Sequence, residues 1–129
     1  DNRIIAGVSL DGVHWGNMID STLTKPFLIL SSDWKSPHPN FNTYAFRNGS
    51  STDFYDAKIK NSGHSSFMDI PLMVNLQFIN EAGAINPNRA YKVTTDALLQ
   101  FFDKYLLDKP TNLMDLKTKY SEFEIMQKE

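Results

Sequence analysis

The chain has no cysteine, which excludes disulfide bonds, thiol redox chemistry and thiolate metal sites. It has no run of lysine and arginine, and its formal net charge is −2, so we expect no nucleic-acid partner. No apolar stretch approaches the roughly 18 consecutive residues of a membrane span, so we expect no transmembrane segment. Of its 129 residues, 41% are apolar, which is enough to build the core of one domain.

Short apolar runs bounded by polar or turn residues predict three β-strands. They cover Arg3–Leu10, Pro26–Ser31 and Phe54–Lys60. The first run is almost continuously apolar, which is typical of a parallel strand that is buried on both faces.

Apolar residues at helical spacing predict helices over Ser66–Asn80 and Arg89–Leu107. A short helix over Phe41–Arg47 and a final, more polar helix over Asn112–Gln127 are also expected, the last with Leu113, Leu116, Tyr120 and Phe123 as its contacts. Strands followed by helices in this order predict an α/β fold, with a mostly parallel sheet flanked by helices.

An acid and a histidine each follow a predicted strand. Asp11 comes directly after the first strand, and His64 follows the third strand behind the turn residue Gly63. The carboxyl ends of parallel strands meet at one edge of a sheet, where ligands bind. Either residue alone is better interpreted as an ordinary turn residue. Together, an acid followed by a histidine predicts the second half of a Ser-Asp-His triad in the chain order of α/β-hydrolases.

Other assignments of these residue types stay open. Asp33 follows the second strand and is the alternative acid, although it could also cap the turn before Ser36. A metal site would need Asp11, His14 and a third ligand, and no histidine pair at ligand spacing supports one. We therefore expect neither a metal nor an organic cofactor.

The nucleophile of such a triad is not found in this sequence. No Gly-x-Ser-x-Gly segment occurs, and Ser65 and Ser66 adjoin His64, a position from which a serine rarely reaches the imidazole. Three parallel strands would also leave one edge of the sheet unpaired. We therefore expect residues 1–129 to be the C-terminal portion of a single domain. The expected partner is the N-terminal half, on a separate or cleaved polypeptide, which carries the serine.

At these residues the chain resembles the platelet-activating factor acetylhydrolase family of α/β-hydrolases, of the plasma or isoform II type. Arg3–Asp11 is similar to the family's strand that ends in the acid, and Lys25–Ser32 to its next strand. Ile59–Asp69 resembles its histidine loop, in which His-x-x-Phe-x-Asp recurs, and Tyr91–Leu107 its closing helix. The resemblance implies the C-terminal half of an α/β-hydrolase fold, with Asp11 as the acid and His64 as the base.

The predicted function is hydrolysis of a carboxylic ester, with a short-acyl or lipid-like ester as the substrate. Trp15, Trp34 and Phe67 are candidates for the substrate pocket because they follow the predicted strand ends and the histidine. Two alternatives remain: a non-catalytic interaction domain of the same fold, and a peptidase or polyester hydrolase that uses Asp33 as its acid.

Overall fold

A computed structural model describes residues 1–12, 23–34, 53–73 and 83–127 of the chain. It contains a sheet of four strands in the order β1-β2-β3-β4. The strands are β1 (Gly7–Leu10), β2 (Phe27–Ser31), β3 (Phe54–Ile59) and β4 (Phe123–Gln127). The first three are parallel, and β4 runs antiparallel to β3. With helices flanking this sheet, the predicted α/β class is confirmed.

The helices in the described ranges are α1 (Ile70–Met73), α2 (Pro87–Leu107) and α3 (Leu116–Lys119). Short 3-10 turns precede α1 and α3, at His64–Phe67 and Leu113–Asp115. The helix predicted from residue 66 to residue 80 is thus a 3-10 turn and a short helix as far as Met73, and its remainder lies outside the described residues. The short helix predicted for residues 41–47 lies outside them as well.

Helix α2 begins and ends at residues suited to those positions. The Asn86 side chain accepts a hydrogen bond from the Arg89 N–H at 3.2 Å, and Pro87 follows as the first helical residue. After the last turn, Asp108 has a φ of 52°, in the left-handed region that terminates a helix. The predicted helix therefore exists and begins two residues earlier than the sequence pattern indicates.

One face of α2 packs on the sheet and forms the main core. Its buried residues follow helical spacing: Ala90, Val93, Thr94, Ala97 and Phe101. Of these, Val93, Ala97 and Phe101 belong to the core cluster on the side of the sheet that carries Leu28, Leu30, Tyr55, Ala57 and Ile59. Alternation along the strands sends Ile29 and Phe54 to the other side, where they form a second, smaller cluster. The centres of β2 and β3 are thus buried. The first apolar run differs from its prediction, because only Gly7–Leu10 forms a strand, its residues are half-buried or exposed, and Ile4 and Ile5 before it are exposed.

The final helix predicted over Asn112–Gln127 is wrong in its second half. Only Leu113–Lys119 is helical, and Phe123–Gln127 forms β4. Phe123 and Ile125 are buried while Glu124 and Met126 are exposed, which is the alternation of a strand. The edge of β3 explains the difference, because β4 pairs with five of its residues and covers that edge. Within the described sheet β1 pairs only with β2, so the opposite edge, along β1, is the one without a neighbouring strand.

The register of the parallel strands positions the functional side chains. Leu10 pairs with Leu30, and Leu30 pairs with Ala57, so the three carboxyl ends lie at the same edge of the sheet. Asp11 follows β1, Ser32 follows β2, and the segment that leads to His64 follows β3. No helix within the described ranges is long and apolar enough to span a bilayer.

Candidate active site

Asp11 is held rigidly at the end of β1. Its backbone N–H donates to the Leu30 carbonyl at 2.8 Å, which continues the β1–β2 ladder by one residue. Its φ is 50°, in the left-handed region that aspartate tolerates better than most residues. This turn directs the side chain into the site, where it is fully buried.

Four groups surround the Asp11 carboxylate, two on each oxygen. Oδ1 accepts hydrogen bonds from the Ser32 backbone N–H at 2.7 Å and from the Trp34 indole Nε1–H at 3.0 Å. Oδ2 accepts from the Ser32 hydroxyl at 2.8 Å and lies 2.8 Å from Nδ1 of His64. An ionised carboxylate only accepts hydrogen bonds and has about four sites for them, so this arrangement fills its capacity. A buried carboxylate is tolerated when it is paired in this way.

His64 begins the 3-10 turn His64–Phe67, immediately after the extended residue Gly63. The turn is closed by two hydrogen bonds: the Ser66 N–H donates to the Gly63 carbonyl at 3.0 Å, and the Gly63 N–H donates to the Ser66 hydroxyl at 3.2 Å. This fixes the start of the turn and therefore the position of the imidazole.

The imidazole bridges the buried acid and the surface. Its Nδ1 faces the Asp11 carboxylate, while the side chain as a whole is 47% exposed. Since the carboxylate is an acceptor, the neutral ring places its proton on Nδ1. The lone pair of the neutral ring is then on Nε2, and this is the atom with which a general base accepts a proton from a nucleophile.

Asp33, the alternative acid, lies in the same region with different partners. Its Oδ2 accepts a hydrogen bond from the Asn61 backbone N–H at 2.8 Å, and its Oδ1 lies 3.5 Å from Nζ of Lys58. Its own N–H donates to the Ser62 carbonyl at 3.1 Å. Asp33 therefore contacts the segment that precedes His64, whereas Asp11 contacts the imidazole itself.

The candidates for the substrate pocket are found in different places. Trp34 lies at the site, with its indole N–H on Asp11, and is 43% exposed. Phe67 is half-buried and packs against the main core. Trp15 and His14 lie outside the described residues, so the pocket itself stays a prediction.

The sequence interpretation missed Ser32, which makes two of the four contacts to the acid. The sequence did contain a signal for Ser32, because this residue directly follows the strand next to β1. It therefore lies beside Asp11 at the carboxyl edge of the sheet. The hydrogen bond from Trp34 was also missed, although that residue was already a candidate at this edge. Within the described ranges, no group of three or more acidic, histidine or cysteine side chains is placed to hold a metal ion.

The parallel strands and the helices that flank them define an α/β fold, with Asp11 and His64 at the carboxyl edge of the strands. A search of solved structures gives the same result. The chain is similar to the structure of a ferulic acid esterase from Streptomyces cinnamoneus, with a TM-score of 0.86 and 25% sequence identity. The match covers 98% of this chain and 41% of the esterase, so the chain spans less than half of that protein's length.

The sequence comparisons add no family assignment. No family model matches the chain, and no curated protein matches it. The likeness to an esterase supports a hydrolase-like function in general terms. Membership of the platelet-activating factor acetylhydrolase family stays a prediction.

Proposed function

We propose that this chain supplies the base and the acid of a serine esterase that hydrolyses carboxylic esters. His64 is the base, and Asp11 is the acid that orients it. The observation that carries the proposal is the 2.8 Å contact between Asp11 Oδ2 and His64 Nδ1 at the carboxyl edge of the sheet. The structural likeness to an esterase points to the same class of reaction.

The proposed chemistry follows from the position of the imidazole. A serine hydroxyl attacks the ester carbonyl while Nε2 of His64 removes its proton. The tetrahedral intermediate then expels the alcohol, which receives that proton from the imidazolium. Water repeats the sequence on the acyl-enzyme, again with His64 as the base, and releases the acid. Asp11 stays ionised throughout and stabilises the imidazolium.

The nucleophile is proposed to lie on a partner segment. The 129 residues contain no Gly-x-Ser-x-Gly, and Ser66, beside the histidine, has its hydroxyl engaged with the Gly63 N–H. We therefore assign the serine and the oxyanion-hole donors to an N-terminal segment that docks on this chain. We call these 129 residues together with that segment the assembled hydrolase, whether the two are on one polypeptide or on two.

The substrate class is proposed from two sources. The resemblance to acetylhydrolases favours a short-acyl or lipid-like ester. The structural neighbour acts, by its name, on esters of ferulic acid, which carry an aromatic acyl group. The partly exposed indole of Trp34 beside Asp11 offers an aromatic surface at the site for either kind of acyl group.

The test is ester hydrolysis by the assembled hydrolase, measured as release of p-nitrophenol from p-nitrophenyl acetate. His64→Ala is expected to lower kcat by about 10³-fold or more, because the nucleophile loses its base. A fluorophosphonate probe should label one serine in the native protein and fail to label it in the variant. Mass spectrometry of the labelled peptide then identifies the nucleophile.

A control is Thr111→Val, since the Thr111 hydroxyl donates to the Gln100 carbonyl away from Asp11 and His64. This variant should keep its activity. An assembled hydrolase that turns over no ester and takes up no probe would overturn the proposal and favour the non-catalytic domain. Comparing methyl ferulate with p-nitrophenyl acetate separates an aromatic from a short-acyl preference.

A further inference from the structure

We propose that Asp33 is a positioning residue that holds the histidine segment against the acid. It would act through the backbone of Asn61 and Ser62, and it would not touch the substrate. This inference rests on the proposed function, because its role is to place the imidazole of His64 for proton transfer. In this proposal Asp33 positions the histidine segment, whereas the sequence analysis left it open as the alternative acid of the triad.

The first support is the pair of backbone contacts that join β2 to the segment after β3. The Asp33 carboxylate accepts the Asn61 N–H at 2.8 Å, and the Asp33 N–H donates to the Ser62 carbonyl at 3.1 Å. These contacts fix one N–H and one carbonyl of the connection that leads, through Gly63, to His64. The Lys58 ammonium, 3.5 Å from the other carboxylate oxygen, fixes the Asp33 side chain in turn.

The second support is the conformation of the segment that Asp33 holds. Asn61 has a φ of 58°, in the left-handed region, which a non-glycine residue occupies at a cost. Its carbonyl accepts hydrogen bonds from the N–H groups of Ala84 at 2.7 Å and Ile85 at 2.9 Å. Asn61 is therefore held on both sides, with Asp33 on its N–H and the segment 84–85 on its carbonyl.

The third support is the sequence context of Asp33 between two residues that contact the acid. Ser32 donates its N–H and hydroxyl to Asp11, and Trp34 donates its indole N–H to the same carboxylate. One tripeptide after β2 thus holds the acid through its outer members and the histidine segment through its middle one. Since Asp11 and His64 follow different strands, this tripeptide sets the distance between them.

The test compares three substitutions in the assembled hydrolase by kcat, KM and thermal midpoint. Asp33→Ala removes the acceptor for the Asn61 N–H, and we expect kcat to fall about 10- to 100-fold, as a displaced reacting group costs. KM should stay within about twofold of the value for the unmodified protein, since Asp33 is proposed to make no contact with the substrate. Asp33→Asn keeps an amide oxygen that can accept the same hydrogen bond, so it should recover most of the lost kcat.

The matched control is Glu124→Gln. Glu124 contacts Lys58 at 3.2 Å and Lys60 at 2.7 Å, so this substitution weakens the same charge cluster while leaving the Asp33–Asn61 hydrogen bond in place. We expect its kcat to match the unmodified protein, even where its thermal midpoint falls. A loss of kcat in Asp33→Ala but not in Glu124→Gln separates positioning from general stability.

Two results would overturn the inference: the first leaves the proposed function intact, and the second transfers the role of the acid from Asp11 to Asp33. If Asp33→Ala keeps full kcat while His64→Ala is inactive, Asp33 does not position the histidine. If Asp33→Asn and Asp33→Ala both lower kcat by about 10⁴-fold, Asp33 is itself the acid. A loss of that size is typical of a triad acid changed to its amide. Activity that survives His64→Ala would instead contradict the proposed function.

Discussion

Asp11 and His64 are separated by 53 positions in the chain, yet Oδ2 of the first lies 2.8 Å from Nδ1 of the second. The parallel pairing of β1, β2 and β3 produces this contact, since it brings three strand ends to one edge. The carboxylate in this pair is fully buried, and the imidazole is about half exposed. The buried carboxylate therefore orients the imidazole, and the imidazole stays accessible to a reacting group, as a general base requires.

Replacing the acid by its amide tests the orientation of the imidazole. In Asp11→Asn the side chain keeps its size but can present an N–H to His64, which favours the wrong tautomer. We expect kcat for p-nitrophenyl acetate in the assembled hydrolase to fall by about 10⁴. A loss of less than tenfold would contradict the assignment of Asp11 as the acid.

Removing one donor from the acid tests the contacts of Ser32. Ser32→Ala deletes the hydroxyl that donates to Asp11 Oδ2 at 2.8 Å and keeps the backbone N–H on Oδ1. We expect the free energy of unfolding to fall by about 1.5–3 kcal/mol, the range for a hydrogen bond to a charged group, together with a smaller loss of kcat. Urea denaturation and steady-state kinetics measure the two effects.

The control for this substitution is Thr111→Val, which removes a hydroxyl that donates to the Gln100 carbonyl at 2.8 Å, away from the site. It should cost about 1 kcal/mol, typical of a neutral hydrogen bond, with kcat unchanged. Equal kinetic losses in the two variants would show that the Ser32 hydroxyl has no particular effect on the acid.

The stability of the protein should depend on pH through Asp96, which joins α2 to the end of α3. The Lys119 ammonium and the Tyr120 hydroxyl both donate to its carboxylate, and these contacts lower the pKa of Asp96 below its usual value of 3.8. A lowered pKa means that the folded state favours the ionised form. The stabilisation is complete above the unfolded pKa and is lost as the pH falls through the folded pKa.

Asp96→Asn should therefore lower the thermal midpoint most at neutral pH. The difference from the unmodified protein should shrink as the pH falls below about 4 and disappear in stronger acid. Thermal unfolding followed by circular dichroism across this range measures it. A difference that stays constant with pH would show that the charge of Asp96 contributes nothing.

Two neighbouring residues of β4 test whether this segment is a strand. Ile125 is buried and Met126 is 51% exposed, as alternation requires. Ile125→Ala should lower the free energy of unfolding by about 2–5 kcal/mol, the cost of a cavity in a core. Met126→Ala should change it by no more than about 0.5 kcal/mol. Similar effects of the two substitutions on the urea midpoint would contradict the strand.

Much of the sheet could be predicted from the sequence, because its strands are short, apolar and bounded by turn residues. The last strand could not be predicted in this way. Leu113, Leu116, Tyr120 and Phe123 recur at helical spacing, and all four are buried as expected. The chain nevertheless turns at Tyr120, where the backbone is extended. The open edge of β3, which only the folded sheet provides, decides between the two periodicities.

The candidate site could also be predicted from the sequence only in part. The approach of Asp11 to His64 follows from strand order and the geometry of a parallel sheet, both of which leave signals in the sequence. The hydrogen bonds of Ser32, Asp33 and Trp34 depend on the register of β2 against its neighbours. A shift of one residue would exchange the faces of the strand, and the sequence does not fix that register by itself.

The most direct test of the account is the protonation pattern of the His64 ring, read by ¹⁵N NMR in the assembled hydrolase above neutral pH. We predict that Nδ1 carries a proton, hydrogen-bonded to Asp11, and that Nε2 is unprotonated. The NMR signal of the Nδ1 proton should be shifted strongly downfield by this hydrogen bond. Asp11→Asn should abolish the downfield signal. A neutral ring that carries its proton on Nε2, or a signal that survives Asp11→Asn, would contradict the account.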